Sequence, residues 1–212
     1  PGYVESMVFK FLDASTADGY NPYRVTRDGF DWEVVDPHDP WSHIGYWGDH
    51  QVVYLLKLLE VSRRYRAGAI EELLHRRVFS YADVPYRIKP YEKLLLDPRE
   101  TIDFDRDAHV AAMARVAELG GDGRALPDGK GGLYRATMAE KLLVVALAKL
   151  FNFVPEAGIW MNTQRPEWND ANNALVGYGV SMVTLCHLER YLEKLSELLA
   201  PLAGRATPIS RE

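Results

Sequence analysis

The feature that most constrains the fold is an apolar segment near the end of the chain. Residues 172–188 contain no Asp, Glu, Lys or Arg, whereas residues 189–194 return to charged, amphipathic spacing. This contrast predicts one long helix whose first half is buried on all sides and whose second half is buried on one side. Because Pro166 keeps the residue before it extended and Asp170 is a preferred capping residue, we expect the helix to begin around Asp170.

A polar loop leads directly into this helix. Residues 162–173 carry two carboxylates, one guanidinium, one indole and several side-chain amides. A polar loop that feeds the buried end of a helix points inward, and buried polar groups need partners. The partners are either other protein groups or a ligand.

Composition places the chain among globular proteins and narrows the class of its partners. The chain has 212 residues, of which 47% are hydrophobic and 26% charged, and this suits one large domain. A formal net charge of −5 gives no support to nucleic acid or an anionic membrane as the main partner. Without a bilayer-length apolar run or a signal-peptide pattern, the expected compartment is the cytoplasm.

The single cysteine, Cys186, lies within the apolar segment. A disulfide framework is therefore excluded, and we expect a buried thiol. The chain opens on Pro-Gly-Tyr without an initiator Met, which suggests part of a longer polypeptide.

Hydrophobic spacing predicts five further helices, and the last of them is apolar except for three charged residues. The predicted helices cover residues 3–12, 48–66, 69–77, 105–119 and 137–153, and the three charged residues are Glu140, Lys141 and Lys149. Long aromatic-rich loops separate the helices, and residues 123–132 read as a glycine-rich hairpin turn. The sequence thus predicts an all-α fold with one domain over residues 1–200 and a frayed tail over residues 201–212.

Two acidic residues in the polar loop point to glycoside chemistry. Glu167 and Asp170 lie three residues apart with Trp168 between them. Cleavage of a glycosidic bond needs a carboxylic acid that protonates the leaving oxygen, and aromatic planes stack on sugar faces. An indole neighbour would raise the pKa of Glu167, whereas a helix N-terminus would lower it. The alternative is a helix cap with an ion pair to Arg165.

A second polar and aromatic loop, residues 41–51, leads into the second helix in the same way. Asp49 and Gln51 are candidate ligands of sugar hydroxyls, and Trp47 is a candidate platform. The alternative makes Asp49 the helix cap. The histidines at positions 38, 43 and 50 have no recognised metal-ligand spacing, so no metal and no cofactor is predicted.

The two loops carry a family resemblance. Residues 167–177, Glu-Trp-Asn-Asp-Ala-Asn-Asn-Ala-Leu-Val-Gly, resemble the Asp-Trp-Asn-Asp-Gly-Met-Asn motif of the inverting cellobiose and chitobiose phosphorylases. Residues 44–51 are similar to the Gly-Tyr-Ser-Asp-Asp-His segment of the same enzymes, in the same order along the chain. Those enzymes belong to the six-hairpin, (α/α)6-toroid glycosidase superfamily. The specific similarity covers about twenty residues, and Glu167 and Ala171 depart from the motif.

The resemblance implies a toroid of helical hairpins, or part of one, and a carbohydrate-active domain that cleaves oligosaccharides with inversion. It places Glu167 as the general acid and Asp49 as a ligand of the sugar ring, with phosphate as a second substrate if the reaction is phosphorolysis. Three alternatives are open for the second carboxylate that inversion requires: Asp170, Glu33 or a residue outside this chain. The remaining candidate substrate-binding residues are Trp32, Trp41, Trp47, Gln51, Arg165, Trp168 and Asn169.

Two non-catalytic hypotheses compete with this one. The first is a sugar-binding or structural domain without turnover. The second is a helical interaction module whose aromatic loops bury against the remainder of a longer polypeptide.

Overall fold

A computed structural model describes residues 2–21, 24–26, 29–32, 34, 36–38, 51–98, 100–161, 177–204 and 206–210. Its helices are α1 (Gly2–Asp13), α2 (Gln51–Tyr65), α3 (Tyr91–Leu96), α4 (Arg106–Leu119), α5 (Met138–Leu150) and α6 (Met182–Leu199). Its strands are β1 (Arg24–Thr26), β2 (Gly29–Asp31), β3 (Arg77–Phe79), β4 (Tyr86–Ile88), β5 (Ile102–Phe104), β6 (Ala136–Thr137), β7 (Phe153–Val154), β8 (Gly158–Trp160) and β9 (Val180–Ser181). Short 3-10 helices cover Glu71–Leu73, Gly120–Arg124 and Ala200–Leu202.

The predicted all-α toroid is wrong, because the described chain is mixed α/β. Four small antiparallel sheets pair β1 with β2, β3 with β6, β4 with β5, and β7 with β8 and β9. These strands have only two or three residues, too few to show the alternating pattern that identifies a strand in a sequence. The β3–β6 pair also joins Arg77 to Thr137, and local periodicity carries no signal for such a distant partner.

The main core lies between α1, α2, α5 and α6. The apolar side of α2, whose hydrophobic spacing predicts this helix, is buried there, as are apolar residues of the other three helices. The fully buried members include Val8, Leu12, Val52, Leu55, Leu56, Leu59, Leu142, Val145, Leu188 and Tyr191. Burial of these side chains from four helices is the main source of stability for this part of the molecule.

A second, smaller core joins the β4–β5 hairpin to α4. Tyr86, Ile102 and Ala112 are buried in it together with Trp32, which directly follows β2. The predicted bounds of α4 are confirmed. Asp105 caps its start by accepting a 2.9 Å hydrogen bond from the Ala108 N–H, and Gly120 ends it with a φ of 65°.

Helix α5 is mostly buried, as its apolar sequence predicts, and it ends three residues earlier than predicted. Thr137 caps α5 by accepting a 3.2 Å hydrogen bond from the Glu140 N–H, and the helix ends at Leu150. Glu140, Lys141 and Lys149 are all buried. The charged residues of this helix therefore face the interior, where each needs a specific partner.

The long C-terminal helix begins later than predicted. Residues 177–181 are not helical, since Gly177 has a φ of 74° and Val180 and Ser181 form β9. Gly177 also packs directly against the Pro98 backbone, where a Cβ atom would clash with the carbonyl group. The predicted buried thiol is wrong as well, because Cys186 is exposed.

Two further segments differ from their predicted structure. Residues 69–77, predicted as a helix, form one 3-10 turn and the beginning of β3. The tail, predicted to be frayed, is held by hydrogen bonds from Thr137 to Pro208 and from Ser210 to Glu140. In the described ranges, none of the helices has the length and apolarity to cross a membrane.

Candidate functional site

Ion pairs show that α2 and α6 run parallel. Arg190 donates to Glu60 at 2.8 Å, and Arg63 donates to Glu197 at 2.8 Å. Residue numbers therefore rise together along the two helices. The starts of α2 and α6, at Gln51 and Met182, consequently lie at the same end of the helix pair.

Two contacts give the direction of α5 relative to α6. The Tyr191 hydroxyl donates to the Leu142 carbonyl at 3.0 Å, near the start of α5. The sheet that follows α5 instead pairs Ile159 with Ser181, immediately before α6. Helix α5 therefore runs antiparallel to α6, and the β7–β8–β9 sheet lies at the end where α2 and α6 begin.

The described residues on either side of segment 162–176 meet at this sheet. The Gly177 N–H donates to the Met161 carbonyl at 2.8 Å, and the Trp160 indole donates to the Gly177 carbonyl at 3.1 Å. The segment therefore leaves and re-enters the described structure at one place. That place adjoins the start of α6, at the end of the molecule that also holds Gln51.

Gln51, one of the predicted substrate-binding residues, begins α2 and is almost completely buried. Neither its amide nitrogen nor its amide oxygen has a hydrogen-bond partner among the described residues. Buried amides are normally paired, because an unpaired one costs about 1–3 kcal/mol. The side chain thus has unused hydrogen-bonding capacity within the described structure, and its predicted contact with sugar stays a prediction.

Trp32, a second predicted substrate-binding residue, packs inside the smaller core. Its indole N–H donates to Nδ1 of His109 at 3.1 Å, and the Arg124 guanidinium lies 5.8 Å from its ring centroid. Only 3% of the residue is exposed. These contacts hold Trp32 against α4 and the 3-10 helix Gly120–Arg124, and a sugar-binding role for Trp32 stays a prediction.

The other predicted site residues lie outside the described part of the chain. They are Glu167, Asp170, Asp49, Trp41, Trp47, Arg165, Trp168 and Asn169, together with Glu33.

A polar cluster that the sequence analysis did not assign to a site surrounds Glu140. The Tyr81 hydroxyl donates to Glu140 Oε1 at 2.8 Å, and Ser210 donates to the same oxygen through Oγ at 2.5 Å. The Ser210 N–H donates to Glu140 Oε2 at 3.0 Å, and the Tyr134 hydroxyl lies against Ser210 Oγ. Burial and the hydrogen bond to Glu140 raise the pKa of Tyr81, which therefore stays a donor.

Lys141 lies behind this cluster and is completely buried. Its ammonium donates to the Ser15 carbonyl at 2.9 Å and lies 3.5 Å from the centroid of the Tyr81 ring. Burial lowers the pKa of Lys141 well below its ordinary value, whereas the charges of Asp13 and Glu140 oppose that shift. Burial also raises the pKa of Asp13, which accepts hydrogen bonds from Ser80.

A cavity of about 550 Å³ opens beside Glu140. Its walls are mainly apolar and come from α5, the segment before β6 and the tail, while its polar groups are those of the cluster. The lining residues are Ala17, Tyr81, Leu126, Pro127, Tyr134, Glu140, Leu143, Val144, Leu147, Ile209 and Ser210. An apolar cleft of this size with a few convergent polar groups is typical of a small-molecule site.

One sequence signal identified part of this second site. Glu140 and Lys141 interrupt an otherwise apolar helix, and charged residues that are buried need partners. The partners Tyr81 and Ser210 lie 59 and 70 residues away in sequence, so only the folded chain brings them together. Within the described residues, no group of three or more His, Cys, Asp or Glu side chains is arranged to hold a metal ion.

Comparison with known proteins does not assign the chain to a family. No protein-family model matches it, and no curated protein matches it significantly.

Proposed function

We propose that this chain is a carbohydrate-active domain, glycoside hydrolase or phosphorylase-like, that acts on oligosaccharides with Glu167 as its general acid. The observation that carries the proposal is the parallel packing of α2 and α6. Residues 41–51, the first stretch, end at Gln51, and residues 167–177, the second stretch, end at Gly177. The parallel packing brings Gln51 and Gly177 to the same end of the helix pair. The last residues of two stretches that are far apart in the sequence thus lie at one end of the fold.

The residue types of both stretches support the same chemistry. The first offers Asp49 with Trp41 and Trp47, and the second offers Glu167 with Trp168. Carboxylates bind sugar hydroxyls and supply the catalytic acid, and indole planes stack on sugar rings. The buried amide of Gln51, which has no hydrogen-bond partner among the described residues, adds a polar group at the end of the first stretch. The single cysteine suits a reducing compartment, so we propose that the activity is cytoplasmic.

The test is a screen of glucosidic and related oligosaccharides with and without inorganic phosphate. Release of free sugar without phosphate identifies hydrolysis, whereas phosphate-dependent release of a sugar phosphate identifies phosphorolysis. We expect Glu167→Gln to lower kcat by about 10²- to 10⁴-fold, the usual contribution of a general acid, with sugar binding retained. Glu193→Gln, a change at an exposed position of α6, is the matched control and keeps wild-type kcat.

Each result of this screen decides between the hypotheses. Wild-type turnover that survives Glu167→Gln refutes Glu167 as the acid. Sugar binding without turnover in the wild type supports the non-catalytic sugar-binding alternative. If the wild type neither binds nor cleaves any saccharide, the carbohydrate proposal is refuted.

A structural domain of a larger protein is the second candidate function. It is favoured by apolar side chains that stay exposed around the β7–β8–β9 sheet, among them Phe151, Tyr178 and Val183. Such a surface suits burial against the remainder of a longer polypeptide.

A further inference from the structure

The Glu140 carboxylate lies far from the proposed sugar site, although the cavity beside it extends along α5 as far as Leu147. Glu140 lies in the first turn of α5, while the β7–β8–β9 sheet follows the last turn of the same helix. Since α5 has 13 residues, a length of about 20 Å separates its two ends. Evidence for or against one site therefore does not decide the other.

The tail shows which donors the Glu140 carboxylate accepts. Ser210 donates its N–H to one carboxylate oxygen at 3.0 Å and its hydroxyl to the other at 2.5 Å. These two donors are carried on adjacent carbon atoms, as in a 1,2-amino alcohol. The carboxylate is thus already arranged to bind a vicinal nitrogen and oxygen pair, a geometry that a small molecule can reproduce.

Apart from Ser210, the side-chain hydrogen bonds of the described tail are long. The Thr137 hydroxyl donates to the Pro208 carbonyl at 3.4 Å, and Thr207 lies 3.4 Å from Nδ1 of His75. The side chain of Ile209 lines the cavity although the residue is 56% exposed. A ligand that replaces Ser210 on Glu140 therefore competes mainly with the two Ser210 donors, since the other side-chain hydrogen bonds of the described tail are at the long limit.

The charge of the cavity selects the class of ligand. Among the described lining residues, Glu140 is the one charged group. The nearby Lys141 ammonium does not line the cavity, because it is fully buried and donates to Ser15. A carboxylate at the end of an apolar cleft favours a cationic amine and disfavours an anion.

We propose that this cavity binds a small amphipathic amino alcohol, and that the tail competes with it for Glu140. The amine and the vicinal hydroxyl of the ligand take the places of the Ser210 N–H and hydroxyl. The apolar body of the ligand lies against Leu143, Val144 and Leu147. The Tyr134 hydroxyl, released from Ser210, contacts the ligand hydroxyl.

The probe is phenylalaninol, which carries an amine, a vicinal hydroxyl and an apolar ring. Binding to the full chain is measured by isothermal titration calorimetry, with 3-phenylpropanol and 3-phenylpropanoate as comparison compounds. We expect phenylalaninol to bind at least tenfold more tightly than either compound. Equal binding of the anion, or no binding of phenylalaninol to the wild type and to Ser210→Pro, overturns the proposal.

Four variants, one of them a control, locate the binding. Leu147→Trp fills the cavity and weakens phenylalaninol binding at least tenfold, whereas Leu150→Trp, at a similarly exposed position of α5 outside the lining, leaves it unchanged. Ser210→Pro removes both tail donors and tightens binding severalfold. Glu140→Gln abolishes the preference for phenylalaninol over 3-phenylpropanol.

The folding of each variant is checked by circular dichroism before titration. If Glu140→Gln does not fold, the pair Leu147→Trp and Leu150→Trp still tests the site. Equal affinities of these two variants for phenylalaninol refute the cavity as the binding place. Since none of these measurements uses a saccharide, failure here leaves the carbohydrate proposal intact.

Discussion

At the scale of single residues, the Lys141 ammonium connects three parts of the fold. It donates to the Ser15 carbonyl after α1, faces the Tyr81 ring, and interacts electrostatically with Asp13 and Glu140. A buried ammonium is costly unless such groups surround it. The residue therefore makes stability depend on pH.

We expect Lys141→Met to flatten the rise of stability with pH. Burial lowers the pKa of Lys141 in the folded chain, whereas the unfolded chain holds this proton up to about pH 10.4. Between these values the unfolded state binds more protons, so Lys141 makes the free energy of unfolding increase with pH. The ammonium also lowers the pKa of Asp13, so its loss raises that pKa further. The folded chain then keeps the Asp13 proton to a higher pH, which further reduces the rise of stability with pH.

Urea denaturation of wild type and Lys141→Met between about pH 6 and pH 9 measures this difference, below the range where tyrosines titrate. Lys57→Met, at an exposed position of α2, is the control and keeps the wild-type slope. Parallel curves for wild type and Lys141→Met would contradict the assignment.

A matched glycine pair tests the contact between residues 177 and 98. Gly177 and Gly129 have φ values of 74° and 72°, so alanine is strained at both, by about 1–2 kcal/mol. A Cβ atom at 177 clashes with the Pro98 carbonyl, whereas nothing lies within 4 Å of one at 129. We expect Gly177→Ala to lower the free energy of unfolding by roughly 1–3 kcal/mol more than Gly129→Ala does. Equal losses in chemical denaturation would show that the close approach is absent.

At the scale of elements, the parallel direction of α2 and α6 determines which loops can meet. The exposed Cys186 provides a native labelling site for measuring it. Lys57 and Arg64 lie seven residues apart on one exposed side of α2. In the register of the Glu60–Arg190 pair, position 57 lies beside Cys186 and position 64 lies further along the axis.

We expect nitroxide labels on Lys57→Cys and Cys186 to be closer than labels on Arg64→Cys and Cys186. Seven helical residues span about 10 Å along the axis, which is the upper limit of the difference between the two distances. Double electron–electron resonance on the two doubly labelled proteins measures both distances. A reversed order of the distances would mean antiparallel helices and would remove the main support for the carbohydrate proposal.

At the scale of the whole molecule, several exposed apolar side chains lie in and next to the β7–β8–β9 sheet. We call these residues the sheet-end patch; its exposed members are Leu150, Phe151, Phe153, Val154, Tyr178, Val180, Met182 and Val183. Apolar patches of this kind on a protein surface mark an interaction site or promote self-association.

We expect the isolated chain to self-associate through the sheet-end patch. The weight-average sedimentation coefficient should therefore rise with protein concentration. Val183→Lys, at a position that is 59% exposed, should suppress the rise, because a charge there resists burial. Tyr65→Lys, at a 68% exposed position at the opposite end of α2, should not. Loss of association in both variants would indicate a general charge effect, and a concentration-independent wild type would refute self-association.

The sequence by itself determined the elements whose residues repeat with a helical period. The apolar stripe of α2, the capped bounds of α4 and the inner character of α5 were all predicted, because caps and periodicity act over a few residues. The assignment of Glu167 and Asp49 to sugar chemistry stays a prediction.

Only the tertiary structure decided the fold class, the exposure of Cys186 and the cluster around Glu140. Strands of two or three residues leave no periodic pattern, and β3 finds its partner β6 nearly sixty residues later. An apolar segment predicts burial, yet whether a face such as that of Met182 and Val183 is covered depends on which elements pack against it. Glu140 joins Tyr81 and Ser210 because folding brings distant donors to a carboxylate that must be satisfied once buried, and a local pattern contains no record of such partners.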